Sequence, residues 1–548
     1  MSTMRSFKEK YVYTLVWTSW ILILILLSYQ ARFWINNDTF GSLDSARFFK
    51  HFEILKAINA YWGIGYGLLL SFLPLNKTES WLQIHLLISL LLLCTQIFIY
   101  KSLLYLDIRK STATFLSLLW GIINFATGGA FFVTSDVPLC FWGGFYLFWA
   151  VKSGVSKKIT QPGNAFFLGT LHAVAWLTKT IALPGLMLFP ILIFLKEIYE
   201  KKSNVTSFKS KFLPSVRFLS FYILPLLIFI SCWSIGTTLK YKRISLGDSG
   251  AYNYARLIEK SIPFEEAREK AKHYLPPYGT FWWSDISLSM TDWDHKIHTN
   301  FSNQLRWVPQ NFKLFASRTF SEGGFCIIVI LFISFIGLKY AYANKDICSL
   351  LIIITLVGYW ITVIYASVLL LARYLPFSII FMMPAVGVAV DQLAISGNRL
   401  FKRLVFLILL MGAAYGVAVM TYAALFMAPG GEHFTILKYL QKKNPALETL
   451  GPIGAYLGEP SYLHHQGVLA YLLKVQAAEM RPMDKGLSNY AATFTPKTVL
   501  LALPRSDKAP MKVVVNDRVY NKMFSINWGK AYKMTQLIIY QPVHEGGF

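Results

Sequence analysis

The feature that most constrains this chain is a series of about eleven apolar runs, each long enough to cross a hydrocarbon core of roughly 30 Å. Of the 548 residues, 55% are apolar and only 15% are charged, and the mean hydropathy is +0.45. Soluble domains of this length do not reach such values. We therefore predict an α-helical polytopic membrane protein, with spans near residues 13–33, 80–100, 112–132, 137–152, 164–178, 181–196, 217–239, 324–341, 347–366, 374–393 and 402–426.

The net charge of +25 comes from short Lys and Arg clusters between these runs. The clusters fall in alternate gaps and form no stripe or tail, so they indicate membrane topology and not nucleic-acid binding. This alternation predicts that the N-terminus lies inside, that about eleven spans follow, and that the C-terminus lies outside. Only Lys179 and Thr180 separate two of the runs, which predicts a tight outer turn between two helices.

The same topology divides the chain into a transmembrane domain, residues 1–426, and a soluble outer domain, residues 427–548. Two outer loops, 34–79 and 240–323, are long enough to hold structure of their own. Within the first loop, glycines interrupt the apolar stretch Ala57–Pro74, which favours helices lying in the membrane interface over a further span. The outer domain is predicted to be a small α/β domain, because it contains the strand-like runs Thr498–Leu503, Lys512–Val515 and Leu537–Tyr540.

The cysteines and the first apolar run bear on disulfides, cysteine metal sites and a cleaved signal peptide. All five cysteines lie in or at the ends of apolar runs, and no CxxC is present, so neither disulfides nor a cysteine metal site is predicted. The first run, from about Tyr13 to Phe33, is too long for a signal-peptide core and lacks a small-residue cleavage site. We expect it to remain attached as a helix.

Once the inner clusters are set aside, a few charged residues remain on the outer side. Asp38 and Asp44 follow the first span, Asp136 lies in the next short outer turn, and Lys179 and Arg373 lie in later outer turns. A charge near the hydrocarbon costs roughly 2–3 kcal/mol or more unless it is paired or solvated. These five residues therefore require a structural or functional reason.

Each of them has a structural alternative. Asp136 is well placed to cap the fourth predicted helix, which has Pro138 in its first turn. Asp38 is compatible with a solvated loop residue, and Asp44 is preferred as a functional residue because an apolar stretch follows it. Lys179 and Arg373 are compatible with long side chains that snorkel to the interface.

Other candidate residues are assigned structural roles. The adjacent His464 and His465, with Glu459 nearby, lack a metal ligand at helical spacing and are interpreted as surface residues. His172 is the main ionisable residue inside a span, and we predict that it is hydrogen-bonded within the bundle. The sequence therefore assigns no metal ligands, although the use of a divalent ion is left open.

Two carboxylates and two cations at one membrane face suit transfer from a lipid-phosphate donor. A carboxylate can accept the proton of an acceptor hydroxyl, while Lys and Arg neutralise the charge that develops on a departing phosphate. A transporter would instead place its charges near the membrane midplane, and an internal inverted repeat is not evident. A transporter or flippase of lipid-linked glycans is the alternative from another class, and a glycan polymerase or ligase is the next enzyme alternative.

With these residues in place, residues 10–395 resemble the C-class multispanning glycosyltransferases. The resemblance is to the family of dolichyl-phosphate-mannose protein mannosyltransferases and lipid A aminoarabinose transferase. The family's Asp-Glu pair corresponds to Asp44-Ser45 here, which leaves open whether Asp38 supplies a second acid. The matching segments are Asp44-Ser-Ala-Arg-Phe-Phe, Tyr61-Trp-Gly-Ile-Gly-Tyr-Gly, Thr134-Ser-Asp-Val-Pro-Leu, Trp176-Leu-Thr-Lys-Thr and Arg373-Tyr-Leu-Pro-Phe with Pro384.

The resemblance implies an inverting transfer of a sugar from a polyprenyl-phosphate carrier to a lipid, glycan or protein acceptor. It favours Asp44 as the base, with Asp136 and Asp38 as further catalytic candidates. It also implies an integral membrane enzyme, expected in a bacterial inner membrane with its active site facing the periplasm or exterior. The remaining implied site residues are Lys179, Arg373 and Arg47 for the donor phosphate, and Tyr61, Trp62, Tyr66 and Tyr374 for the substrate lining.

The predicted topology can be tested by cysteine labelling from outside the membrane. A cysteine introduced at Ser249 or at Ser506 should react with an impermeant reagent in intact cells, because both residues lie in segments predicted to be outside. Reaction only after permeabilisation would contradict the arrangement of eleven spans.

Overall fold

The helices of this computed structural model follow the predicted apolar runs. Residues 2–33, 35–75, 80–128, 130, 133–202, 208–273, 279–280, 282–290, 301–318, 325–341 and 345–395 are described, with single helical positions between 403 and 418 and six strands beyond them. The helices are α1 Ser2–Gln30, α2 Phe40–Lys50, α3 Ile54–Ala57, α4 Gly65–Ser71, α5 Leu82–Tyr105, α6 Lys110–Ala126, α7 Asp136–Val155, α8 Pro162–Thr178, α9 Ala182–Lys202, α10 Phe208–Tyr241, α11 Ser249–Tyr254, α12 Ile262–His273, α13 Ile286–Ser289, α14 Phe301–Arg318, α15 Phe325–Ala341, α16 Lys345–Ala366 and α17 Leu375–Ile395.

Three 3₁₀ turns and one π-helical turn complete the helical elements of the described part. The 3₁₀ turns are Asn37–Thr39, Trp282–Asp285 and Ala372–Tyr374, and the π-helical turn is Ala255–Glu259. Two of the 3₁₀ turns carry residues singled out by the sequence, Asp38 and Arg373.

Six of the described helices contain a segment long and apolar enough to cross a membrane. These segments are Tyr11–Gln30, Leu82–Tyr105, Ala182–Tyr199, Leu213–Tyr241, Cys348–Ala366 and Ala372–Gln392. The chain is thus a polytopic helical membrane protein, as its composition predicts. Helices also occupy four further predicted runs, as α6, α7, α8 and α15. The eleventh predicted run, 402–426, lies almost entirely outside the described residues, so the number of spans remains a prediction.

Small residues set the close approach of helices in the bundle. A Cβ atom added at Gly169 of α8 would lie 2.8 Å from Pro225 of α10. One added at Gly358 of α16 would lie 2.8 Å from the backbone oxygen of Ser378 in α17. Membrane helices depend on such backbone approaches because lipid supplies little hydrophobic drive for association. Helix α17 is the most enclosed of the six candidate spans: 83% of its apolar segment is buried, compared with 17% for α1.

The buried histidine of the bundle is satisfied by neighbouring helices. Nδ1 of His172 lies 3.0 Å from the hydroxyl of Tyr222, which lies 2.9 Å from the hydroxyl of Tyr146. Its Nε2 lies 3.0 Å from the backbone oxygens of Ala182 and Leu183. The prediction that His172 is hydrogen-bonded within the bundle is confirmed.

The glycine-rich part of the first outer loop packs directly on the end of α8. Gly63 has φ +78°, a conformation that favours glycine, and a Cβ there would lie 2.6 Å from the backbone oxygen of Leu177. A Cβ on Gly65 would lie 2.9 Å from Cα of Thr178. The expected helices of the stretch Ala57–Pro74 are present as α4 and the end of α3. The loop is thereby fixed beside Lys179, which follows α8.

The described part of residues 427–548 forms a six-stranded mixed sheet. The strands are β1 Ile453–Tyr456, β2 Ala477–Met480, β3 Val499–Ala502, β4 Lys512–Val515, β5 Arg518–Asn527 and β6 Gln536–Pro542. Their order is β2-β1-β3-β6-β5-β4, and β1 pairs in parallel with β2 and β3 while the remaining pairs are antiparallel. The three predicted strand-like runs coincide with β3, β4 and β6. The helical part of the predicted α/β domain lies outside the described residues.

The packing of the glycine-rich loop makes a testable prediction. Gly65→Ala should lower the free energy of unfolding by about 1–3 kcal/mol. The added methyl would overlap the backbone of Thr178 and push the loop away from α8. The matched control is Gly163→Ala in α8, where a Cβ meets no heavy atom within 4 Å. That variant should be as stable as the wild type or slightly more so. Equal melting temperatures for the two variants in detergent would contradict this packing.

Candidate active site

A cavity of about 260 Å³ lies where the predicted outer turns meet. One part of its lining carries the ionisable residues Asp38, Asp136, Lys179 and Arg373. The rest is formed by apolar residues at or near the start of α9 and the end of α16, by aromatic side chains, and by the segment around α11. These further lining residues include Ile181, Pro184, Ile364, Tyr365, Val368, Leu369, Tyr374, Tyr61, Trp62, Gly247, Ser249, Gly250 and Asn253.

Lys179 and Asp136 form an ion pair across two helix ends. Lys179 is the C-cap residue of α8, and its ammonium donates to Oδ1 of Asp136, the first residue of α7. The hydroxyl of Thr134 donates to the other oxygen of Asp136 at 2.6 Å. The predicted capping role is not observed, because Ser135 is the N-cap residue of α7. Asp136 instead holds Lys179 in place.

The charge environment keeps Asp136 ionised. Burial raises the pKa of its carboxyl group, but the nearby charges of Lys179 and Arg373 and the hydrogen bonds from Lys179 and Thr134 outweigh this. The pKa of Asp136, which precedes the predicted span 137–152, is therefore lowered. A carboxylate with a lowered pKa is a poor proton acceptor. Asp136 is thus better suited to orienting cations than to acting as a base.

Arg373 connects the two carboxylates of the cavity. It lies in the 3₁₀ turn before α17, and its Nη2 donates to Oδ2 of Asp38 at 2.7 Å. Its Nε lies 3.9 Å from Oδ2 of Asp136. The guanidinium therefore contacts residues from the first outer loop and from the start of α7.

The ring of Tyr374 lies beside both cations. The ammonium of Lys179 is 4.2 Å from the ring centroid, and the guanidinium carbon of Arg373 is 5.2 Å from it. The side chains of Lys179 and Arg373 are only 22% and 16% exposed. Because carboxylates and this aromatic face hold their charged ends, the snorkelling alternative does not describe either residue.

Asp44 and Arg47, by contrast, are not part of the described cavity lining. The carboxylate of Asp44 accepts hydrogen bonds from the backbone N–H of Thr280 at 2.6 Å and from its hydroxyl at 2.7 Å. Nη2 of Arg47 lies 3.2 Å from Asp44 Oδ1. Asp44 thus connects α2 to the second outer loop, and Arg47 completes that contact. The expected base and one expected phosphate ligand therefore contact each other and the second outer loop, and their catalytic roles remain predictions.

Asp38, whose role as a second acid the sequence left undecided, lines the cavity. Its Oδ2 accepts from Arg373, and its Oδ1 lies 3.4 Å from Nε1 of Trp283. Two residues of the predicted substrate lining, Tyr61 and Trp62, line the cavity beside it. The indole N–H of Trp62 donates to the backbone oxygen of Trp283 at 3.0 Å.

Tyr66, which was expected to line the substrate site, is buried instead. Its hydroxyl donates to the backbone oxygen of Val133 at 2.9 Å, and Thr39 donates to the same oxygen at 3.0 Å. Val133 has φ +56° just before the turn that leads to Asp136. Tyr66 therefore positions this turn and does not contact the cavity.

Sequence reasoning missed a buried ion pair that anchors the aromatic residues. Nζ of Lys240, at the end of α10, lies 2.6 Å from Oδ2 of Asp285, and their side chains are 3% and 7% exposed. The Lys240 ammonium also donates to the backbone oxygens of Lys56 and Ile58. The hydroxyl of Tyr241 lies within hydrogen-bond distance of two acceptors, 3.1 Å from the backbone oxygen of Ile58 and 2.9 Å from Oδ2 of Asp285.

This anchor joins three segments: the end of α10, the loop before Tyr61, and the 3₁₀ turn that carries Trp283. The available sequence signal is the run Trp282-Trp283-Ser284-Asp285, where an acidic residue follows two tryptophans in an outer loop. Its partner at Lys240 is 45 residues away in a different segment, and no local pattern connects them.

Metal ligands are not grouped in the described part of the chain. No set of three or more His, Cys, Asp or Glu side chains comes together among those residues. The two carboxylates at the cavity, Asp38 and Asp136, both contact Arg373. Glu459, His464 and His465 lie outside the described residues.

Comparison with known proteins gave weak structural matches. No protein-family model matches the chain, and no curated protein does. An oligosaccharyltransferase from Archaeoglobus fulgidus, with a tethered acceptor peptide, is 11% identical with a TM-score of 0.44. The match covers 84% of this chain, which spans only 63% of that protein. ArnT from Cupriavidus metallidurans, bound to undecaprenyl phosphate, is 11% identical with a TM-score of 0.38, covering 96% of this chain and 98% of that one.

Both structural matches are distant in sequence, at 11% identity each. Their TM-scores lie below 0.5, so what the site does is inferred below from its own residues.

The buried anchor of the aromatic residues makes a further testable prediction. Lys240→Met should lower stability by about 3–5 kcal/mol, because it leaves the carboxylate of Asp285 buried without its cation. The double variant Lys240→Met/Asp285→Asn removes both charges, keeps an oxygen for Tyr241, and should recover much of the loss. Melting temperatures in detergent test this. A double variant no more stable than the single one would show that the ion pair is not what the anchor depends on.

Proposed function

We propose that this protein is an integral membrane glycosyltransferase that moves a sugar from a polyprenyl-phosphate carrier to an acceptor hydroxyl or phosphate on the outer face of the membrane. The observation that carries the proposal is the grouping of Lys179, Arg373 and Asp38 around one cavity with an apolar wall. The proposed setting is a bacterial inner membrane, with residues 1–426 as the catalytic domain and 427–548 as a soluble outer domain.

The two cations suit a phosphate that leaves during the reaction. Lys179 and Arg373 both lie within 4 Å of the carboxylate of Asp136, so one phosphate group can contact both of them. In a partly buried site, fixed cations stabilise developing negative charge more strongly than they would in water. The planar guanidinium of Arg373 can also hold two phosphate oxygens at once.

The apolar wall suits the lipid part of the donor. Ile364 lies in the last turn of α16 and Val368 just after that helix, and both line the same cavity as Ile181, just before α9, and Pro184 in the first turn of α9. The first isoprene units of a carrier could pack on these side chains while its phosphate remains beside Lys179. The wall and the cations together favour a lipid-linked phosphate over a fully soluble one.

Asp38 is the proposed general base. Its carboxylate lines the cavity and pairs with Arg373 at 2.7 Å, whereas Asp136 pairs with Lys179 and also lies near Arg373. The acceptor oxygen would attack the anomeric carbon from the face opposite the phosphate, and its proton would pass to Asp38. The bond between that carbon and the phosphate oxygen breaks, and the phosphate leaves with the electron pair. One such displacement inverts the anomeric carbon; an acceptor phosphate would need no base.

A transporter or flippase is less well supported by the positions of the charges. The cavity lies among the predicted outer turns. Within the bundle, both ring nitrogens of His172 are hydrogen-bonded, one to Tyr222 and the other to backbone oxygens. A midplane substrate site would require exposed polar groups at that depth. A glycan polymerase or ligase would use the same donor chemistry, with a different acceptor.

The choice between Asp38 and Asp44 gives the main test. Asp38→Asn should lower turnover by roughly 10²–10⁴-fold, since that is the usual contribution of acid–base catalysis. Asp44→Asn should lower the melting temperature through weaker contacts with Thr280, while the folded protein keeps near-normal turnover. The measurement is consumption of undecaprenyl phosphate carrying a labelled monosaccharide, by purified protein in liposomes supplied with a cell-envelope extract.

The outcomes separate the assignments. Loss of turnover in Asp44→Asn with normal turnover in Asp38→Asn would return the base to Asp44. Absence of donor consumption by the wild type would contradict a transferase. If the donor is consumed, mass spectrometry of envelope glycolipids and glycoproteins from cells with and without the gene would identify the modified acceptor by the mass of one added sugar.

A further inference from the structure

We propose that the six-stranded sheet is coupled to the cavity through α12, and that Phe264 of this helix is the positioning residue that carries the coupling. Helix α12 contacts strand β2 of the sheet, and the ring of Phe264 contacts α11, which forms one wall of the cavity. This α11 wall consists of Ser249, Gly250 and Asn253. The coupling goes beyond the proposed transfer reaction and does not depend on it.

The first step is the contact between the sheet and the second outer loop. Strand β2 lies at one edge of the sheet and pairs there with β1. It also contacts α12, which belongs to the loop 240–323. Edge strands present unpaired backbone groups, and a covering helix is one way in which proteins protect them. The sheet and the second outer loop therefore meet at α12.

The second step is that α12 is anchored on its loop by one apolar face. Phe264 and Ala271 are 3% and 1% exposed, and Ala267 is partly buried against the same core. Spacings of three and four residues place these side chains on one side of the helix. Glu266 and Lys270, on the other side, are exposed. A shift of α12 would therefore be felt first along the face that carries Phe264.

The third step is a row of aromatic rings that leads from α12 to the cavity. The ring of Phe264 meets that of Tyr252 in α11 edge to face at 5.3 Å, and Tyr252 meets Tyr61 in the same manner at 5.3 Å. Tyr252 is fully buried, and Tyr61 lines the cavity. Because close-packed interiors transmit displacements, a movement of Phe264 would reach the cavity through only one intervening ring.

A charged residue of α12 acts on the same intervening ring. Burial raises the pKa of Tyr252 to about 12, and the charges of Arg256 and Arg268 oppose this rise. Arg268 lies one turn after Phe264 and pairs with Glu265 at 2.6 Å. Both the ring and the hydroxyl of Tyr252 therefore depend on the position of α12.

The fourth step is the short connection between α11 and α12. The π-helical turn Ala255–Glu259 follows α11, and Lys260 comes next with φ +52°, a conformation that is uncommon for a residue other than glycine. The backbone N–H of Lys260 donates to the oxygen of Ala255 at 2.8 Å. Only Lys260 and Ser261 separate this turn from α12. The connection has little slack, so it transmits a shift of α12 to α11 instead of absorbing it.

The experiment measures hydrogen–deuterium exchange of backbone amides by mass spectrometry, in the full chain in detergent. Exchange reports the opening of each element separately, so α11, β2 and β4 can be compared in one sample. Phe264→Ala removes the ring that contacts Tyr252, and Phe264→Leu keeps apolar volume without the ring. Ala478→Gly perturbs the other end of the proposed connection, in β2. Melting temperatures verify that each variant folds, and Phe264→Leu serves if Phe264→Ala does not.

Two matched controls separate the coupling from general loosening. Glu266→Ala truncates an exposed side chain on α12, and Val514→Gly makes a larger change than Ala478→Gly in β4, at the opposite edge of the sheet. Glu266→Ala should leave exchange in α11 and β2 unchanged. Val514→Gly should raise exchange in β4 and leave α11 as in the wild type.

Phe264→Ala should raise exchange about fivefold or more in both α11 and β2, the lower end of typical coupling between two sites, and Phe264→Leu should raise it less. Ala478→Gly should raise exchange in β2 about twofold to fivefold, because glycine weakens a strand by about that factor. It should also raise exchange in α11, because coupling between two sites is reciprocal.

The coupling would be overturned if Phe264→Ala and Phe264→Leu loosened α11 and left β2 unchanged, because Phe264 would then only pack against α11. An equal rise in β4 would overturn it as well, as would an α11 that does not respond to Ala478→Gly. Since exchange does not involve transfer, a protein that shows the reciprocal change and never consumes a donor would overturn the proposed function alone. Donor consumption without the reciprocal change would overturn the coupling alone.

Discussion

The guanidinium of Arg373 is the interaction on which the arrangement of the site depends. It contacts Asp38 from the first outer loop and lies near Asp136 at the start of α7, while its own turn leads into α17, the most enclosed candidate span. Charges at a membrane surface are costly unless they are paired, so these contacts draw the loop and the two helix ends together. Lys179 completes the cluster through its pair with Asp136.

A second set of contacts determines which residues are left for chemistry. Thr280 binds Asp44, and Lys240, which pairs with Asp285, also donates to the backbone oxygens of Lys56 and Ile58, so the loop 240–323 is connected to the first outer loop at two points. Asp44 accepts the hydrogen bonds of the first connection. The second positions Trp283 against Asp38, which places the aromatic residues and the candidate base on the same side of the cavity.

Local patterns predicted the elements and most of the charged cluster. Apolar length identified the helices, and the scarcity of outer charges identified Asp38, Asp136, Lys179 and Arg373, which do come together. The sequence favoured Asp44 over Asp38 as the base, and no local pattern indicates that Thr280, 236 residues away, binds the Asp44 carboxylate. Trp283 and the α11 wall were missed for the same reason: long-range packing brings them to the cavity.

The balance of charge in the cavity has a consequence for competition by small ions. Asp38 and Asp136 offset Lys179 and Arg373, so the four groups together carry no formal net charge. A neutral cluster exerts little long-range attraction on soluble anions, and each cation already has a carboxylate partner. To bind, inorganic phosphate would have to displace these carboxylates, and it has no apolar group whose burial would compensate for the lost ion pairs. Under the proposed function, a carrier that also buried its chain against Ile364 and Val368 would have an additional source of affinity, so selection against free phosphate would arise from the lipid and not from the phosphate itself.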